Sequence, residues 1–264
     1  MAPQIRRSLF AACTLIALCG CASLRAAPYA AVPGGLFRGV LTGNDDPPSL
    51  VAHFSMRVTP VTNAEFLAFV QRQPRWQRGA APTILADADY LRAWAAPTQL
   101  GEGVAPDGPV TGVSWFAAQA FCEQEHARLP TWLEWEYVAS ADTTRKDARS
   151  DPAWRARILQ WYASTTDLTG RQVGGEPNAY GISDLHGLIW EWVDDFNALL
   201  VDADSRVQDD AEKLRFCGAG AITMKDRESY AILMRIALLS SMNASGSTTN
   251  LGFRCARPNR QATQ

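Results

Sequence analysis

The segment 177–196, PNAYGISDLHGLIWEWVDDF, constrains the fold most, because it mixes turn residues, carboxylates and tryptophans without a helical or strand period. Gly181 and Gly187 interrupt regular structure there, whereas the tryptophans carry apolar area that favours burial. Its acidic residues are Asp184, Glu191, Asp194 and Asp195. Spacing alone leaves two interpretations open: a loop around a hard cation such as calcium, and a solvated acidic turn over a tryptophan-rich core.

Composition and motif content exclude several classes of function. With 264 residues, of which 47% are apolar, and a formal charge of -2, the chain fits one globular domain and lacks the basic surface of a nucleic-acid-binding protein. The sequence contains no nucleophile elbow, phosphate-binding loop, dinucleotide fingerprint or zinc-protease motif. His53, His126 and His186 lack zinc-ligand spacing, and only His186 lies in the segment 177–196.

The first 27 residues have the pattern of a secretory signal, with two arginines before an apolar run and small residues after it. This predicts a mature domain over residues 28–260 in the periplasm. Two ways of processing stay open. The tetrapeptide before residue 22, LCGC, resembles a lipobox that would lipidate Cys21 and anchor the protein to the outer membrane, and cleavage near Ala26 or Ala27 would release it instead. Membrane contact is expected only through such a lipid.

Three cysteines follow the signal, namely Cys122, Cys217 and Cys255. In an oxidising compartment two of them are expected to form a disulfide, which leaves one thiol over.

Helix starts are marked by local capping patterns. Thr62 with Glu65, and Thr131 with Glu134, have the spacing of a capping box. Ser114 is a favourable N-cap residue for a further helix. These patterns predict helices that begin directly after residues 62, 114 and 131.

Strands are predicted at residues 32–40 and 50–62, and in the closing motif NLGFRCARP, whose alternating side chains suit a short strand. The run PAWRARILQWYA is typical of a helix with proline in its first turn, whereas the period of YAILMRIALLSS does not distinguish helix from strand. We therefore expect an irregular α+β domain, with few helices and many short strands drawn from distant parts of the chain.

Several motifs together resemble one family. They occur in the family's order and are VPGGLF, PVTNAEFLAFV, PVTGVSWFAAQAFC, RLPTWLEWEY, NAYGISDLHGLIWEWVDDF and NLGFRCAR. With them the chain resembles the formylglycine-generating-enzyme-like, or sulfatase-modifying factor, superfamily along nearly all of its mature length. The resemblance implies a single compact domain of the C-type-lectin-related kind.

The resemblance also implies site residues. Asp184 and Glu191 would bind a structural calcium ion through their side chains, and Gly187 and Ile189 through their carbonyl groups. Cys122 and Cys255 would form the disulfide. These residues match the family's pattern position by position.

One departure from the family concerns its chemistry. The oxidase members carry two copper-binding cysteines before the closing motif, and alignment backward from that motif places Ala231 at the second and Asp226 near the first. Alanine and aspartate offer no thiolate for copper(I). The sequence therefore predicts a protein that does not make formylglycine.

Three functions remain as hypotheses. The first is a periplasmic accessory or maturation factor for a protein partner, resembling the NirV-like type associated with copper nitrite reductase and using the former active-site groove. The second is a metal-dependent oxidoreductase in which Cys217 is a reactive thiol or binds copper with Met224, Met234 or Met242. The third is a lectin-like binding module.

Overall fold

The structure is a computed structural model, and it describes residues 29–42, 46–163, 168–199 and 230–258. The predicted signal segment 1–27 lies outside the described residues. The same is true of Cys21, Cys217 and Asp226. Among the described residues, no helix is both long and apolar enough to cross a membrane.

The described strands are short. They are β1 (Tyr29–Val32), β2 (Gly35–Phe37), β3 (Ser49–Val51), β4 (Phe54–Arg57), β5 (Trp190–Glu191), β6 (Leu251–Gly252) and β7 (Ala256–Pro258). Strand β4 is the centre of an antiparallel sheet in the order β1-β4-β7, while β2 pairs with β3 and β5 pairs in parallel with β6. Distant parts of the chain thus build each sheet except the β2-β3 pair.

The helices are α1 (Asn63–Arg72), α2 (Trp115–Gln124), α3 (Trp132–Ala139), α4 (Pro152–Ala163) and α5 (Tyr230–Ser241). The first three begin directly after residues 62, 114 and 131, where the capping patterns predict. In the boxes before α1 and α3, the threonine hydroxyl accepts from the backbone of the third helical residue, and the glutamate there accepts from the threonine N–H. Two otherwise unpaired groups are satisfied at each helix start.

The predicted strand over residues 32–40 divides at a glycine pair. Gly34 has a φ of 70°, and a Cβ atom there would lie 2.3 Å from the Val51 carbonyl oxygen. Only glycine fits such a left-handed position against a neighbouring backbone. The turn therefore separates β1 from β2, so that each strand joins a different sheet.

The main core is one large cluster that draws on most of the described chain, although α4 contributes no residue to it. At its centre Phe66 of α1 packs against Phe121 of α2 and against Phe253, which follows β6, with ring centroids 5.9 and 6.0 Å apart. These elements confirm the α+β class with few helices and many short strands.

Two segments near the C-terminal end bear on predictions from the sequence, one by resolving an open alternative and one by contradicting a prediction. Residues 230–241 form α5, which resolves the ambiguous apolar run. The alternation predicted for the closing motif was wrong, since residues 251–256 are buried without interruption and are covered on both faces. The motif also holds two short strands, β6 and β7, rather than the single predicted strand.

Candidate functional site

The segment 177–196 enters the core through β5. The Trp190 N–H donates to the Asn250 carbonyl, and the Trp192 N–H donates to the Gly252 carbonyl, both at 2.9 Å. A Cβ atom on Gly252 would lie 2.1 Å from the Val110 carbonyl oxygen, so the close approach of the backbone at residue 110 requires glycine at residue 252. This pairing places the Glu191 side chain inside the protein, where it is 0% exposed.

Glu191 forms a buried ion pair with Arg254. The Arg254 Nη2 donates to Glu191 Oε1 at 2.8 Å and Nε donates to Oε2 at 2.9 Å, while both side chains are 0% exposed. The indole Nε1 of Trp135 donates to Oε2 at 2.8 Å. Both carboxylate oxygens are therefore hydrogen-bonded, which a buried charge requires.

Arg235 is a second buried cation at the same place. Its guanidinium, on α5, donates to the Glu191 carbonyl oxygen and lies 3.7 Å from the centroid of the Trp135 ring. Its Nε and Nη1 atoms have no hydrogen-bond partner among the described residues. Burial lowers the pKa of Arg235 to about 10, so it is charged at neutral pH. Two guanidinium groups thus bind one glutamate, Arg254 at its carboxylate and Arg235 at its backbone carbonyl, an arrangement that we call the arginine cage (Glu191, Arg235 and Arg254).

The other residues predicted to bind calcium lie in different surroundings. Asp184 has a φ of 63°, and its carboxylate accepts from the backbone N–H groups of Gly174 and Gly175 at 2.6 and 3.1 Å. The Gly187 carbonyl accepts from Arg171 at 3.2 Å, and Ile189 is fully buried. Asp184 and Glu191, the two predicted side-chain ligands, therefore have different hydrogen-bond partners.

These contacts do not fit calcium at Glu191. Calcium takes six to eight oxygen ligands, whereas both Glu191 oxygens have donors and two guanidinium groups occupy its surroundings. A divalent cation there would be repelled by two positive charges in a medium of low dielectric constant. Among the residues described, no group of three or more His, Cys, Asp or Glu could hold a metal ion.

The Ala231 position is closed by apolar packing. Ala231 on α5 is 7% exposed and belongs to a small cluster with Ala148, Trp154 and Ile158. The position that the family resemblance aligns with the second copper cysteine thus carries a methyl group among apolar neighbours. The cluster is separate from the main core.

A cleft of about 250 Å³ lies beside this cluster and shares Trp154 and Ile158 with it. Trp161 and Ile182 add apolar wall, and its carboxylates are Asp142, Glu176 and Asp184. Asp142 is bonded to Arg145, and hydrogen bonds to that arginine hold the Asp142 pKa well below its usual range. Ala231 does not itself line the cleft, which we call the Ala231 cleft after the adjoining cluster.

His186, the histidine in the segment 177–196, lines the Ala231 cleft. Its Nε2 lies 2.9 Å from the Ala139 carbonyl oxygen, which can only accept, so Nε2 carries the proton and Nδ1 presents a lone pair. Nδ1 has no partner among the described residues. Burial lowers the pKa of His186 to about 4, and the ring is neutral at physiological pH. It can therefore accept a hydrogen bond but not act as a cation.

The disulfide implied by the family resemblance is present. Cys122 on α2 and Cys255 before β7 are bonded across a sequence separation of 133 residues, and both are 0% exposed. The bond ties a helix to the closing strand of the central sheet.

Sequence reasoning did not find the cations of the arginine cage. Arg254 stands in the closing motif NLGFRCAR, where its place among buried apolar residues was the available signal. Arg235 stands alone in an apolar run, which is the same kind of signal. Neither could be assigned to Glu191, because the partners are 63 and 44 residues apart in sequence.

Comparisons with known proteins agree on one family. Residues 23–259 match the model described as sulfatase-modifying factor enzyme 1-like domain. The chain is 29% identical to a formylglycine-generating enzyme from Streptomyces coelicolor, over 77% of each protein. It is 26% identical to inactive C-alpha-formylglycine-generating enzyme 2 from Mus musculus, over 85% of this chain and 84% of that protein.

A third relative is matched over part of its length. The chain is 32% identical to a hercynine oxygenase from Mycolicibacterium smegmatis over 61% of this chain and spans 44% of that relative. Among solved structures, PvdO from Pseudomonas aeruginosa is similar at 19% identity with a TM-score of 0.46, over 86% of this chain and 93% of PvdO.

Proposed function

Because the chain belongs to the family of sulfatase-modifying factor enzyme 1-like domains, we propose that it is a non-oxidase member that acts as an accessory or maturation factor for a partner protein. The signal-like N-terminus supports a periplasmic location. The partner class that the sequence resemblance favours is a copper protein. Calcium has no part in this proposal, because the arginine cage already holds the cations beside Glu191.

The observation that carries this proposal is the Ala231 cluster. Copper(I) needs soft thiolate ligands, and at this position the protein has a methyl group packed against Trp154 and Ile158. Restoring a thiol there would also displace atoms of a packed cluster.

The Ala231 cleft is the proposed place of partner binding. It has apolar walls, an exposed carboxylate in Glu176 and an unpartnered acceptor in His186 Nδ1. A volume of about 250 Å³ accommodates a few side chains of a polypeptide rather than a large cofactor. A partner segment with a hydrogen-bond donor opposite His186 fits these groups.

We expect no copper-dependent conversion of a cysteine in a sulfatase-type peptide, since the position of the second thiolate holds alanine. The assay follows the peptide by mass spectrometry with purified protein, copper and oxygen. Conversion by the wild-type protein above the enzyme-free blank would overturn the proposal. The double substitution Ala231→Cys with Asp226→Cys shows whether absence of thiols is the reason.

The positive arm of the same test uses tagged protein isolated from its own periplasm. A partner retained by the wild-type protein should be reduced at least tenfold by Glu176→Lys, which reverses an exposed charge in the Ala231 cleft. The matched control Arg92→Glu reverses an exposed charge away from the residues lining the cleft and should leave retention unchanged. Equal retention by both variants would contradict this placement.

The oxidoreductase hypothesis makes a different prediction for the metal content. Copper that copurifies in near-stoichiometric amount and disappears in Cys217→Ser, with the fold intact, would favour a reactive copper site over the accessory role.

A further inference from the structure

A second cleft, of about 440 Å³, lies on another side of α3. It is lined by residues from the chain around β2 and β3, from α3, and from the turn after Val193. Its charged lining residues are Asp46, Glu136 and Asp195, and no Lys, Arg or His lines it within the described parts of the chain. We call it the Glu136 cleft.

The floor of this cleft contains a buried carboxylate with an unused acceptor. Glu136 is 2% exposed, and its Oε1 accepts from the Val40 N–H at 2.7 Å. Its Oε2 has no partner among the described residues and faces Gly39, where a Cβ atom would lie 2.9 Å away. Gly39 and Glu136 both line the cleft, and Gly39 has no side chain to cover this oxygen, which lies buried directly beneath the cleft wall. A buried acceptor without a partner is a destabilising feature that a bound donor would relieve.

The charges around Glu136 neutralise it only in part. Arg149 forms a long ion pair with it, with Nη1 3.9 Å from Oε1, beyond hydrogen-bonding distance. The Arg149 guanidinium instead donates to Asp147 at 2.8 Å and to the Arg38 carbonyl at 2.7 Å. Burial raises the Glu136 pKa to about 7, with the charge of Asp147 acting in the same direction and that of Arg149 against it.

Two further groups at the cleft prepare it for a polar ligand. Asp195 Oδ1 accepts from the Trp132 N–H at 2.7 Å, which fixes that carboxylate at the start of α3. Burial raises the Asp195 pKa. The Trp132 indole Nε1 approaches Glu136 without hydrogen-bond geometry and has no partner in the described residues. The negative charge of the cleft and the unpaired Glu136 oxygen favour a ligand that is a cation and a hydrogen-bond donor. A bare metal ion is disfavoured, because no group of three His, Cys, Asp or Glu side chains is close enough together among the described residues to hold one.

We propose that the Glu136 cleft binds an organic cation with the chemistry of an arginine or lysine side chain. The cation donates to Glu136 Oε2 and lies within the field of Asp195. This site is distinct from the Ala231 cleft in all of its lining residues. The inference stands apart from the accessory role, and its test requires no partner protein.

The test is titration of the purified protein with n-butylguanidinium, followed by NMR shifts of the backbone amides of Val40 and Trp132. We expect saturable binding at pH 8 that weakens about tenfold at pH 6, because the ionised fraction of a carboxyl group with a pKa near 7 falls about tenfold over that range. Glu136→Gln keeps an acceptor for the Val40 N–H but removes the charge. It should weaken binding at least tenfold at pH 8 and abolish the pH dependence.

Two controls keep the outcome decisive. Asp89→Asn removes an exposed carboxylate outside the cleft and should bind as the wild type does. Asp195→Asn should weaken binding severalfold and replaces Glu136→Gln if that variant does not fold. No saturable binding at pH 8, or unchanged binding in the cleft variants, would overturn the inference. A blocked Gly-Arg-Gly peptide that binds more tightly than n-butylguanidinium identifies a polypeptide as the source of the cation, and equal binding identifies a free amine or guanidine.

Discussion

Replacing Glu191 by alanine is expected to lower the free energy of unfolding by about 3 to 5 kcal/mol, the range for breaking a buried ion pair by removing one partner. The loss is expected to be large because the substitution removes the carboxylate that Arg254 binds and leaves two buried cations, Arg235 and Arg254, without it. The change in free energy is measured by urea denaturation with tryptophan fluorescence as the signal. Trp135 is a suitable reporter because its indole donates to the Glu191 carboxylate and lies at the altered site.

A matched variant and a chelator separate charge from calcium. Glu191→Gln keeps an acceptor for the Trp135 indole, so a large loss in this variant as well assigns the effect to the missing charge. The arginine cage predicts that EDTA leaves the melting temperature of the wild-type protein unchanged. A fall of several degrees in EDTA that Glu191→Ala abolishes would instead support the calcium site implied by the family resemblance.

Removing the disulfide is expected to lower the free energy of unfolding by about 5 kcal/mol in the loop-entropy model. The reason is the long loop between Cys122 and Cys255, which are 133 residues apart. The double variant Cys122→Ala with Cys255→Ala is compared with the wild type by thermal and urea denaturation. Alanine is preferred to serine, because both positions are fully buried and a hydroxyl there would lack a partner.

Reduction provides an independent check of the disulfide prediction. Wild-type protein treated with a reducing agent should approach the stability of the double variant, whereas the double variant should not respond. A loss below about 1 kcal/mol in the variant would show that the unfolded chain is already constrained in other ways.

The sequence predicted the helix starts well because capping is local. The hydroxyl of Thr62 and the carboxylate of Glu65 are three residues apart and satisfy each other's backbone groups whatever surrounds them. The apolar run of α5 was ambiguous for the opposite reason. Its conformation depends on packing against α4 and against the segment after β5. The hydrophobic periodicity of the run carries no information about that packing.

The site was less predictable because its chemistry depends on contacts between distant residues. The spacing of Asp184 and Glu191 left a cation loop and a solvated turn open, and the family resemblance implied the cation. The structure supplies cations beside Glu191 in the form of two arginines. Glu136 gave no signal, because a glutamate in a helix is ordinarily a solvated residue. Only burial of one oxygen without a partner distinguishes it.

The order of the central sheet has a mechanical consequence. Strands β1 and β7 flank β4 and both run opposite to it, with Tyr29 aligned to Arg57 and Pro258 aligned to Phe54. A force that separates residue 29 from residue 258 therefore pulls the outer strands along their length in opposite directions. The hydrogen bonds, which run perpendicular to the strands, are then strained together in shear rather than broken one after another. The sheet should resist pulling at these two points more strongly than it resists peeling either outer strand from its side.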